Sequence, residues 1–209
     1  MARAEQEAEP GTRGRIIEAA LETLKSEGYA GTSARAIARR GGFNQALIFY
    51  HFGSVNGLLL AALDHTSAIR MRRYRTAVEE AHSLEDMLDV ALRIYAEDLE
   101  AGHMTVLSEM VAGSMAHPEL KPEISARLEP WIGFTESAIK KALTGSPLRP
   151  ALPSRELAFG LVAFYCGVNM LVNLERDRRE IDRLFRTARG MAPLISRVLR
   201  IRRSRRRRT

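Results

Sequence analysis

Apolar residues recur along this chain at intervals of three and four, the spacing of one face of an α-helix. No stretch keeps the period of two that a strand needs. Ile16, Ile17, Ala20, Leu21 and Leu24 make the first such face, and Gly28 stands where a helix-ending glycine belongs. Thr32 or Ser33 can cap a helix over 34–40 that Gly41-Gly42 stops. Asn44 can cap a second over 45–52 that Gly53 stops, and Ser54 a longer one reaching about Arg75. Beyond Ser83 the pattern predicts helices at 84–101, 104–116, 122–143 with a break near Pro130, 154–176 and 179–199. Pro118, Pro122, Pro147, Pro150 and Pro153 punctuate them. The expected fold is all-α: a three-helix head over 11–71 and a larger helical domain over 83–199.

The two short helices and the turn Arg40-Gly41-Gly42-Phe43 form a helix-turn-helix pattern at 34–53. Ile37 and Ala38 on one helix, and Leu47 or Ile48 with Phe52 on the other, supply faces that pack against the first long helix. That leaves Asn44, Gln45, Ala46, Phe49, Tyr50 and His51 around the start and outer side of the second short helix. A recognition helix brings its N-terminal residues to base edges in the major groove. Asn or Gln can pair with adenine there, and Ala or Leu47 can meet a thymine methyl. The helix starts after Ser33 and Ser54 offer free N–H groups to phosphates. Thr32 and Arg35 complete the candidate DNA contacts.

Charge supports a divided chain. The sequence has 209 residues and a net charge of +7, yet seven arginines in 200–208 supply all of it, and residues 1–199 hold 25 basic and 25 acidic groups. Residues 11–75 carry ten basic and four acidic groups, whereas 76–199 carry 14 and 18. A basic front end on an acidic remainder suggests different partners for the two parts. The tail at 200–209 reads as a disordered basic end, able to add sequence-independent attraction to DNA or to serve only as a solubilising end.

With these residues in view, 12–63 (TRGRIIEAALETLKSEGYAGTSARAIARRGGFNQALIFYHFGSVNGLLLAAL) resembles the DNA-binding domain of TetR-type transcriptional regulators. The resemblance is carried by Ile16-Ile17, Ala20, Gly28-Tyr29, Thr32-Ser33, Ile37-Ala38, Gly42, Tyr50-His51-Phe52 and Leu58-Leu59. It implies a homodimer that binds a palindromic double-stranded operator through its heads and a small-molecule effector through its C-terminal helices. Three places depart from the family pattern: Phe49 stands where a tyrosine is usual, Val55 where a lysine is usual, and Ala46-Leu47 where a small residue and a threonine are common.

In the C-terminal part, methionines and aromatics suit an adaptable apolar pocket as well as an ordinary core. The candidate pocket residues are Met104, Leu107, Glu109, Met110, Trp131, Phe134, Tyr165 and Asn169, with Glu109 and Asn169 as polar determinants. Gly160, Ala163 and Gly167 fall at i, i+3 and i+7. With Met170 they form a smooth stripe for a close helix partner, which in TetR-like proteins is the symmetry mate. The eighteen uncharged residues 157–174 include Asn169 and Asn173, and are expected to form a helix buried in protein on nearly every side rather than a membrane span.

Enzymatic and metal chemistry find no support. Histidines 51, 65, 82, 103 and 117 form no His-Glu-x-x-His pair, no phosphate-binding loop or Gly-x-Ser-x-Gly appears, and His82 with Asp86 reads as a surface pair. No metal and no cofactor are expected. The opening residues lack a signal-peptide pattern and Cys166 is the one cysteine, so a cytoplasmic location is expected. The reading is a ligand-responsive DNA-binding regulator, most simply a repressor. Two alternatives are a constitutive or architectural DNA-binding dimer and a small-molecule sequestering protein.

Overall fold

The computed structural model describes residues 11–173 and 178–201, and every regular element among them is helical. Residues 202–209, most of the arginine tail, lie outside that set. In order, the helices are α1 Thr12–Gly31, α2 Ala34–Gly41, α3 Ala46–Phe52, α4 Val55–Glu80, α5 Leu84–Ala101, α6 His103–Gly113, α7 Leu120–Ala142, α8 Ser154–Asn173 and α9 Arg178–Ile201. A short 3-10 turn, Arg149–Ala151, precedes α8.

The element pattern read from periodicity holds, with two corrections. Helix α4 runs five residues past Arg75, because Lys141 reaches its C-terminus and donates to the carbonyls of Val78 and Glu79. Helix α7 does not break at Pro130. Pro130 is exposed, so the carbonyl left without an N–H partner is open to water. The presumed His82–Asp86 surface pair is a helix start instead. Asp86 accepts from the backbone N–H groups of His82 and Ser83, and Ser83 Oγ accepts from the Asp86 N–H, a capping box that opens α5. Those backbone donors hold the Asp86 carboxyl below its usual range.

Two compact units divide the chain. One joins residues 11–66 to Val106–Ile124; the other joins Ser67–Thr105 to the described residues from Ser125 onward. The reason is packing. Val106, Met110, Leu120 and Ile124 belong to the same buried cluster as Ile16, Ile17, Leu24, Ile37, Ile48, Leu58 and Leu59.

Within the first unit Tyr29 is a joint between α1, α4 and α6. Gly28 adopts φ +67°, which breaks α1 and turns the Tyr29 N–H toward the Glu109 carboxylate, 2.7 Å away. The Tyr29 hydroxyl donates to Asn56 Oδ1 at 2.8 Å, in the first turn of α4. Its ring lies flat on Gly113, where an added Cβ would sit 2.5 Å from ring carbons.

In the second unit α5 packs along α9, with Arg189 paired to Asp89 at 2.8 Å. Helix α8 corrects the expectation that it is buried on nearly every side. Ala158, Val168 and Asn169 are buried, while Leu157, Phe159, Leu161, Phe164, Met170 and Leu171 are exposed.

Gly113→Ala should therefore lower the unfolding free energy by about 1–3 kcal/mol, the usual cost of forcing a methyl into a filled space. Urea unfolding of the two proteins checks it, and an unchanged midpoint would show that the ring can move aside.

Candidate functional sites

The helix-turn-helix is set by local hydrogen bonds. Ser33 is extended (φ −110°, ψ 159°) and its hydroxyl accepts from the Ala36 N–H, starting α2. Gly42 ends α2 in the left-handed region, and Phe43 N–H returns to the Ala38 carbonyl at 3.1 Å. Asn44 Oδ1 then accepts from Ala46 N–H at 2.9 Å as α3 begins. Gly53 and Ser54 make the next corner, with Ser54 Oγ accepting from Gly57 N–H at 2.9 Å. Ile48 is fully buried and anchors α3 on the core.

This arrangement turns one side of α3 outward. Arg35, Asn44, Gln45, Ala46, Phe49, Tyr50 and Ser54 are exposed, Tyr50 by 81%. Arg35, Arg39, Phe43, Asn44 and Gln45 line an open concavity where α2 meets the turn. His51 is half-buried, its ring set edgewise between Tyr50 and Phe52. Phe52 is half-buried beneath the Arg13 guanidinium, 4.9 Å above its ring.

The second unit holds a different kind of site. Asp98 is fully buried on α5 and accepts from the hydroxyls of Tyr74, at 2.6 Å, and of Tyr165, and from the Arg70 guanidinium. Arg70 also stacks over Trp131, 4.7 Å from the ring centre. Burial works to lower the Arg70 pKa, but the facing Asp98 carboxylate outweighs it and raises it. Burial, reinforced by Asp98, pushes the Tyr74 and Tyr165 hydroxyls well above the usual tyrosine range. One turn beyond Tyr165, Asn169 is 1% exposed. Its Nδ2 donates to the Tyr165 carbonyl at 2.8 Å, while its Oδ1 has no hydrogen-bond partner among the described residues.

Comparison with known proteins gives these features a lineage. The family model for bacterial regulatory proteins of the tetR family matches residues 16–62, and that for the tetracycline repressor-like C-terminal domain matches 81–188, half of the chain. The chain belongs to the TetR family. Among its curated relatives is the transcriptional regulator UidR of Escherichia coli, 24% identical over 164 residues covering 75% of this chain and 82% of UidR. Among solved structures, the fatty acid degradation regulator FadR of Bacillus halodurans superposes with a TM-score of 0.71 over 89% of this chain and 96% of that one, at 15% identity. FadR of Bacillus subtilis, solved in complex with stearoyl-CoA, gives 0.64 over 85% and 96%, at 16% identity. This TetR-family chain is thus a transcriptional regulator with a helix-turn-helix DNA-binding domain, and its relatives are regulators rather than enzymes. No single helix among the described residues is long and apolar enough to cross a membrane.

In this TetR-family head, two expected DNA contacts turn inward. Thr32 is buried and its hydroxyl donates to the Gly28 carbonyl at 2.6 Å, closing the end of α1. Leu47 is half-buried against the core. The expected pocket residues are divided between the two units. Leu107, Glu109 and Met110 fall in the first unit, where Met110 is fully buried in the core and Glu109 holds the Tyr29 N–H. Met104, Trp131, Phe134, Tyr165 and Asn169 fall in the second. Sequence reasoning missed Asp98, Arg70 and Tyr74. No local signal marks Asp98, because its partners lie 24 to 67 residues away.

Replacing Asp98 by Ala should cost about 3–5 kcal/mol, since it strands a largely buried guanidinium, whereas the paired change Asp98→Leu with Arg70→Met should cost far less. Urea unfolding of the three proteins decides between them. Alkaline pH probes the same cluster. The raised phenol values mean that the Tyr74 and Tyr165 contribution is complete below about pH 10 and is lost as pH rises through their folded-state values. Unfolding midpoints followed above pH 10 should therefore fall, and Tyr74→Phe with Tyr165→Phe should flatten that fall.

Proposed function

We propose that this regulator is a repressor that binds a palindromic operator as a homodimer and is released by a small, largely apolar effector. The observation that carries the proposal is the uncovered apolar face of α8 and α9. At 100° per residue, Gly160, Ala163 and Gly167 lie in the middle of the exposed side of α8, with Phe159 and Met170 on one rim and Leu161, Phe164 and Leu171 on the other. A Cβ at Gly160 or Gly167 would touch nothing, so no described residue fills the floor of this groove. On α9, Leu184, Met191, Leu194 and Ile195 are exposed at spacings of seven, three and one. Two-fold pairing of these faces, α8 and α9 from each copy, removes this surface from water and presents two recognition helices to one duplex.

The effector reading rests on the second unit. A buried Asn169 Oδ1 without a donor carries a desolvation cost that a bound hydroxyl, amine or amide N–H would relieve. Met104, Trp131, Phe134 and Tyr165 remain the apolar and aromatic residues of this proposal. The stearoyl-CoA of the Bacillus subtilis regulator supports effector binding on this fold without assigning the same ligand here. One observation favours the constitutive alternative: every oxygen of Asp98 is already satisfied from within the chain.

Sedimentation should give a dimer for the intact chain and a monomer for Phe159→Glu with Leu194→Glu. That variant should fail to protect any palindrome in the intergenic DNA beside its own gene at low salt. A dimeric variant would remove α8 and α9 from the interface. Native mass spectrometry of protein purified from its host should reveal a bound small molecule, lost on Asn169→Leu with the dimer retained. An intact dimer carrying no adduct in either protein would favour the constitutive reading.

A further inference from the structure

Helix α3 presents an outer face whose chemistry is unusual for a base-reading element. Gln45, Ala46, Phe49 and Tyr50 stand at i, i+1, i+4 and i+5, and all four are exposed. Phe49 is 50% exposed although it lies on a seven-residue helix that buries Ile48 completely. The helix sequence ALIFYHF contains no Arg, Lys, Asp or Glu. Guanine is most often read by a two-pronged Arg or Lys, and cytosine by a carboxylate accepting from its amino group. Helix α3 carries neither.

Two of the residues that could have read bases are already engaged. Leu47 is half-buried on the core. Asn44 is oriented by its Oδ1 accepting from the Ala46 N–H as α3 begins, a capping role rather than a free base reader. Gln45 is different: it is exposed and its amide has no partner among the described residues. An apolar surface in the major groove finds one apolar complement, the thymine C5-methyl.

We propose that the operator half-site has a core of A·T pairs, with adenine read by the Gln45 amide and thymine methyls read by Ala46 and Phe49. The inference rests on the operator-binding reading above. Arg35 and Arg39, on the rim beside Gln45, serve phosphates, since the first helix of such a motif crosses the backbone. The water-exposed Phe49 ring recovers its hydration cost by covering a methyl group, a gain available only at thymine.

The test starts with selection of binding sites from random-sequence duplexes by the full-length chain, at fixed salt. The selected half-sites should carry A·T pairs at two or three adjacent core positions. Replacing thymine by uracil there removes the methyl alone, and should weaken binding about fourfold for each methyl covered. Phe49→Ala, checked for folding by circular dichroism, should remove the thymine–uracil difference at the position Phe49 covers but keep that under Ala46 and the adenine preference. Gln45→Ala should do the reverse, lowering discrimination at one adenine by about tenfold. Selected cores of G·C pairs, or equal binding to thymine and uracil sites, would overturn the inference while leaving the regulator reading in place. Enrichment of no palindrome at any salt would overturn the operator reading itself.

Discussion

The head of this protein depends on how the end of α1 is closed. A helix terminus leaves backbone groups without partners, and here they are met from elements distant in sequence. Glu109, eighty residues away, takes the Tyr29 N–H, while Thr32 turns its hydroxyl back to the Gly28 carbonyl. Gly113 supplies the room for the Tyr29 ring, and Asn56 holds its hydroxyl. Because α4 begins beside Asn56, the same joint sets the corner at Gly53 and Ser54 that follows α3. The exposed face of α3 is therefore held by contacts made between α1, α4 and α6.

The second unit solves another problem with similar means. Asp98 is a fully buried carboxylate, which stays tolerable only because three donors from α4 and α8 converge on it. Trp131 then covers the Arg70 guanidinium. Asn169 Oδ1 and Arg70 Nε are buried with no hydrogen-bond partner among the described residues. On the other side of α8, exposed phenylalanines and leucines surround a glycine floor.

The helices and the DNA-binding motif are legible in the sequence, because both follow from local rules. Apolar spacing, Ser33 and Ser54 as caps, and Gly42 and Gly53 as stops act over a few residues, and the helix-turn-helix emerged in register. The tertiary structure alone decided which polar side chains are spent. Thr32 and Glu109 look like contacts for DNA and ligand in the sequence, yet each pairs with the closing turn of α1. Asp98 was invisible because its partners on α4 and α8 carry no periodic signal. The grouping of α6 with the head, and the open rather than buried face of α8, were hidden for the same reason. Periodicity reports that a face is apolar, but only packing in space says what covers it.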